Sequence, residues 1–166
     1  MRFRAPALPR EVAARVDGRV LAFVHAEGTW LVGTRAELVV IGPDGTHRIP
    51  WERIEGADWN RDESRLRLTE IGDYGQPRPS YVFRLPETEP AVLLQLIRER
   101  VTASVVLQRG RLMTDKRGLK VIGRRSPQGG PISWMHEYDA GIDPADPEVA
   151  AAAEALLAQA RADVGE

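Results

Sequence analysis

Residues 28–60 read GTWLVGTRAELVVIGPDGTHRIPWERIEGADWN. Short runs rich in β-branched and aromatic residues recur here at 30–33, 37–41, 46–51 and 54–60, and Pro43-Asp44-Gly45 supplies a tight-turn signal between the second and third. Runs this short, closed this often, have strand chemistry, because an amphipathic helix needs a longer uninterrupted period. Upstream, 20–24 adds a strand ended by Ala26-Glu27-Gly28. Downstream, Arg61-Asp62-Glu63-Ser64 leads into 65–68, a Gly- and Pro-rich loop spans 72–79, and 81–85 closes the series. Seven short strands at this spacing predict an antiparallel sandwich or barrel.

After Pro86 the period changes. Thr88 is a reasonable N-cap, with Pro90 in the permissive first turn, and Leu93, Leu96, Ile97 and Val101 then repeat on one side while Gln95, Arg98, Glu99 and Thr102 take the other. The spacing predicts an amphipathic helix over 88–104 that covers the strands. Arg100 falls about 20° from Leu93 within the apolar stripe, so its stem is expected to pack and its head to reach water. From Val105 the pattern becomes β again. A second antiparallel meander is expected at 105–113, 118–124 and 132–138, with turns at 114–117 and 126–131 and a bulge at Gly110. Asp146 as N-cap, Pro147 at the first helical position and Glu148 in the first turn begin a C-terminal helix, whose stripe is Val149, Ala153, Leu156, Ala160 and Val164.

The 28–60 stretch also resembles the pleckstrin-homology superfold in its bacterial versions. Thr34-Arg35 before the strand, the Pro-Asp-Gly hairpin and Ile49-Pro50-Trp51-Glu52-Arg53-Ile54 carry the likeness, and seven strands followed by one helix is that superfold's element order. Over its whole length the chain resembles an uncharacterised actinobacterial protein family with this PH-like part, an Arg98-Glu99-Arg100 helix and a GIDPADPE tail. The resemblance implies a binding scaffold whose ligands range over lipids, peptides and protein partners. The loop at 25–29 carries no Lys or Arg, which counts against lipid-headgroup recognition.

Composition narrows the chemistry. A chain of 166 residues, 43% hydrophobic and 28% charged, is an ordinary globular protein of one domain or two small units. It has no cysteine, so disulfides, thiolate catalysis and Cys-ligated metals are excluded. Arg2, Arg4, Arg10, Glu11 and Arg15 break up the first apolar runs, and no later run approaches the roughly 18 apolar residues of a membrane span. A cytoplasmic location is the expectation. His25, His47 and His136 lie on separate strands without a second ligand at metal spacing, and no nucleophile elbow, phosphate loop or dinucleotide fingerprint occurs. Asp139, Asp143, Asp146 and Glu148 do not match a calcium loop, and the prolines among them mark a helix entry.

Charge is uneven although the net is −1. Between 109 and 125 seven basic residues stand against Asp115 alone, a balance of +6, and from 137 to 166 eight carboxylates stand against Arg161, a balance of −7. The acidic tail is expected to fold back over the basic meander. The overall expectation is a β-rich α+β fold: residues 1–104 form a PH-like seven-stranded barrel with an N-terminal arm, capped by a helix. Residues 105–166 follow as a three-stranded meander with a C-terminal helix packed on it. The expected function is non-enzymatic binding of a protein or peptide partner by strand addition, without a cofactor, a metal or a catalytic residue. The alternative is a nucleic-acid or phosphate-binding accessory protein using Arg111, Lys120, Arg124 and Arg125, with Trp134 available for stacking. An enzyme with dispersed carboxylates is the third class, and the oligomeric state stays open.

Overall fold

The computed structural model describes residues 7–72, 77–86 and 90–166. The chain divides into two units, Met1–Thr102 and Ala103–Glu166. In the first, a short helix α1 (Arg10–Ala13), absent from the sequence reading, precedes β1 (Ala22–Ala26), β2 (Thr29–Gly33), β3 (Glu37–Gly42) and β4 (Gly45–Pro50). These four strands form one antiparallel sheet in the order β1-β2-β3-β4. A 3₁₀ turn (Trp51–Arg53) then leads to β5 (Ile54–Asn60), β6 (Arg65–Glu70) and β7 (Ser80–Arg84), a second antiparallel sheet in the order β5-β6-β7.

Among the described residues this unit therefore has seven strands, but they make two open sheets. Among the described residues no ladder joins β4 to β5 or β1 to β7, so the expected closed barrel is not formed. The reason is local. Pro50, opposite Glu37, has no N–H to offer a strand on the outer edge of β4, and once the Trp51 N–H has bonded the Ala36 carbonyl at 3.3 Å the chain leaves in a tight turn, so β5 starts a new sheet.

Thr34 and Trp51 shape that change of direction. The Thr34 hydroxyl accepts the amides of Ala36 (3.3 Å) and Glu37 (3.2 Å), which folds the β2–β3 connection into a Thr-anchored turn. Its carbonyl accepts the indole N–H of fully buried Trp51 at 3.0 Å. The short turn at one end of the sheet is thus tied to the turn that ends it.

The first sheet is apolar on both faces, which explains the continuous Leu38-Val39-Val40-Ile41 run. One face sends Leu31, Leu38 and Ile49 into the main core with Trp51, Ile54, Leu66 and Leu68. The other carries Val32, Val39 and Ile41, covered by Leu8, Val12, Val16 and Val20 of the N-terminal arm. Arg48, opposite Val39 on that face, pairs with Glu37 at 2.6 Å and Asp17 at 3.3 Å and donates to the Arg15 carbonyl, pinning the arm.

Helix α2 (Ala91–Ser104) buries Leu93 and Ile97 in the main core, with Leu96 and Val101 partly buried beside them. Gly33 makes room for it: a Cβ there would lie 2.5 Å from Leu96 Cδ2. The proposed cap, Thr88, lies outside the described residues.

The second unit is a meander of β8 (Val105–Leu112), β9 (Gly118–Arg124) and β10 (Ser133–Tyr138), in the order β10-β9-β8, followed by α3 (Pro147–Asp163). Its bulge sits between Val105 and Leu107, where the chain enters β8, and Gly110 pairs regularly with Lys120. A Cβ on Gly110 would meet only ordinary contacts, so no irregularity is needed there. Asp146 caps α3 by accepting the amides of Glu148 (2.8 Å) and Val149 (3.5 Å). Helix α3 packs against β8 and β9. Its buried residues are Val149, Ala152, Ala153, Leu156 and Ala160, and its alanines let the backbone approach Leu119 and Val121 closely. Val164 lies past the helix end, so Ala152 completes the stripe in its place. No helix among the described residues is long and apolar enough to cross a membrane.

Candidate functional site

The basic meander does not form one patch. Strand register places Arg111 opposite Leu119 and Trp134 opposite Gly123, on the face that α3 covers. Lys120 and Arg124 alternate onto the other face, and Arg125 follows the end of β9. Arg124 is only 6% exposed and donates to the Ser104 hydroxyl at 3.0 Å. Trp134 is half-buried against Gly123, where a Cβ would sit 2.7 Å from its ring, and its indole N–H donates to Glu166 at 2.9 Å. These five residues are not brought together. Charge compensation by the tail is visible in Arg109, which pairs with Asp163 at 2.6 Å; Arg117 donates only to the neutral Ala140 carbonyl. Arg111, Lys116, Lys120 and Arg125 have no ion pair among the described residues.

What the structure does assemble is a groove in the first unit. It holds about 460 Å³ and is lined by Ala57 and Trp59 of β5, Leu66 of β6, and Leu94, Gln95, Ile97, Arg98, Val101 and Thr102 of α2. Ala57 and Trp59 lie opposite Leu68 and Leu66, so they stand on the core-facing side of the sheet. Asp58 and Asn60, opposite Arg67 and Arg65, face the other way. Leu94, Ile97 and Val101 form the helical wall, and Gln95, Arg98 and Thr102 follow its exposed rim at helical spacing. β5 is an edge strand: β6 pairs with one side, and among the described residues no strand pairs with the other. Its entry is bulged between Ile54 and Gly56, and Glu55 there pairs with Arg78. The groove is thus walled by an edge strand, at Ala57 and Trp59, whose second side no strand occupies among the described residues.

A second cluster bridges the two sheets of this unit. His47 of β4 donates from Nε2 to Glu70 of β6 at 2.6 Å, and the Tyr81 hydroxyl of β7 lies 3.3 Å from the same nitrogen. Burial raises the Tyr81 phenol above its ordinary value of 10.0, and its hydrogen bond to Glu70 and the charge of that carboxylate push it further up. His25 stacks on Trp30 at 4.3 Å, and His136 lies under α3, 3.4 Å from the Ala153 carbonyl. Among the described residues no three His, Asp or Glu side chains converge as metal ligands.

Comparison of the chain with family models, curated proteins and solved structures finds no match. The geometry therefore carries the functional reading. Of the groove residues, the sequence placed Ile97 and Val101 on the apolar stripe of a covering helix and Trp59 in a strand, but nothing in their spacing shows that β5 and α2 face each other across open space. Arg98 read as one more polar residue on a solvated side. Only the packing makes it the rim of a groove.

Proposed function

We propose that the first unit is a PH-like, non-enzymatic binding module that takes an extended peptide segment of a protein partner as an added strand on β5. The open edge of β5 beside the apolar groove carries this reading. Main-chain hydrogen bonds to β5 supply affinity independent of sequence, while alternate side chains of the added strand enter the space between Trp59 and the Leu94, Ile97 and Val101 wall. The groove falls within the roughly 300–1,000 Å³ of ordinary ligand sites and is lined mainly by apolar groups, as such sites are. A sheet of four strands, a sheet of three and one closing helix support the PH-like assignment, on which strand addition is one of several uses of the scaffold.

A display library of random dodecapeptides tests it. Selection on the full chain should enrich peptides with apolar residues at alternate positions, and Ala57→Arg should abolish their binding. Ala57 is exposed, so a charged stem there fills the groove without emptying the core. Enrichment of nothing, or of peptides that bind Ala57→Arg equally well, would overturn the proposal.

A further inference from the structure

Among the described residues, one charged group lines the groove. Arg98 stands on its rim, and no Asp or Glu among the described residues lines the channel. Arg98 is exposed and makes no ion pair among the described residues. The helix does not neutralise it either: the residues one turn before it are Leu94 and Gln95, and those one turn after are Val101 and Thr102. The neighbouring carboxylate, Glu99, accepts a hydrogen bond from Gln95 at 2.8 Å.

An apolar segment laid into this channel would strip water from one side of the guanidinium and return nothing, a cost that disfavours purely apolar ligands. A ligand carboxylate removes that cost, and with Arg it can form two parallel charge-assisted hydrogen bonds. Resting on the strand-addition reading above, we infer that the added strand is acidic: it carries an Asp or Glu whose carboxylate pairs with Arg98.

The strand period fixes where that residue falls. Ala57 and Trp59 line the groove while Asp58 and Asn60 face away, and a strand added to β5 alternates in step with it. The carboxylate and the apolar anchors must then share one face of the peptide. The acid lies an even number of residues from each anchor, two or four away, and not one or three away.

The selected dodecapeptides test this. Asp or Glu should be enriched at even separation from the apolar positions. A selected acidic peptide should bind Arg98→Gln about 5- to 50-fold more weakly, while its Gln-substituted version should hardly distinguish the two proteins. Charge reversal adds a readout that loss of fold cannot imitate: Arg98→Glu should recover binding when the peptide acid is replaced by Lys. Peptides that require an open groove, being lost in Ala57→Arg, yet lack the acid, carry it at odd separation or bind Arg98→Gln unchanged, would overturn this inference and leave the strand-addition reading standing. Absence of any peptide sensitive to Ala57→Arg would overturn both.

Discussion

Trp51→Phe puts the fold-deciding turn under test. Trp51 is 0% exposed, and its indole N–H donates at 3.0 Å to the carbonyl of Thr34, itself only 2% exposed. Phenylalanine keeps an aromatic ring but removes that donor and part of the buried surface. Leaving a buried carbonyl without this partner costs about 1–3 kcal/mol, and deleting a small apolar volume from a well-packed site adds about 1 kcal/mol. The expected loss is about 2–4 kcal/mol, a large part of the roughly 5–15 kcal/mol that stabilises an ordinary domain. Amide exchange of Leu31 and Val39, both fully buried on β2 and β3, reports on this unit by itself. Where exchange follows the opening equilibrium, those amides should exchange about 30- to 1,000-fold faster in the variant. Trp30→Phe, at a half-buried site, is the control, with little change expected. Exchange at Leu31 and Val39 unaltered by Trp51→Phe would show that the Thr34–Trp51 link does not hold the turn.

In the second unit, Leu156→Ala should destabilise by about 2–5 kcal/mol, because Leu156 packs into the cluster beneath α3. Arg109→Ala should cost no more than about 1 kcal/mol, since Arg109 and Asp163 remain 49% and 38% exposed. Denaturant melts that rank the two variants in the opposite order would show that charge, rather than apolar packing, docks the tail. Tyr81 sets an alkaline limit. Its folded pKa is raised, so its contribution is fully present below its unfolded value and is lost as pH rises through the folded one. Glu70→Gln should bring the phenol down toward 10.0 in an ultraviolet titration, and no change would remove Glu70 from the causes.

Strand and helix positions were legible because they depend on local patterns. Pro43-Asp44-Gly45 forces a hairpin wherever it stands, and Asp146-Pro147-Glu148 caps a helix through atoms two and three residues away. The stripe Leu93, Leu96, Ile97 and Val101 needed only the 3.6-residue period to be recognised as a covering face. Strand order within each meander also follows from short connections, which make sequence neighbours space neighbours.

Closure, facing and exposure were not legible, because they depend on groups far apart in the chain. Whether seven strands close into a barrel is decided where the chain turns away from the first sheet after Pro50 and Trp51 reaches the Thr34 carbonyl, 17 residues away. The run of arginines and lysines after residue 109 looked like one surface in sequence. In the meander, the alternation of a pleated strand sends Arg111 and Lys120 to opposite faces, and Arg124 ends up nearly buried beside Ser104. The groove is the clearest case. Ala57 and Trp59 precede Leu94 to Thr102 by more than 30 residues, and empty space between two elements has no signature in either one. Sequence determines which face of a strand or helix is apolar; only the tertiary fold decides which apolar face is left open and which charge, here Arg98, stands at its edge.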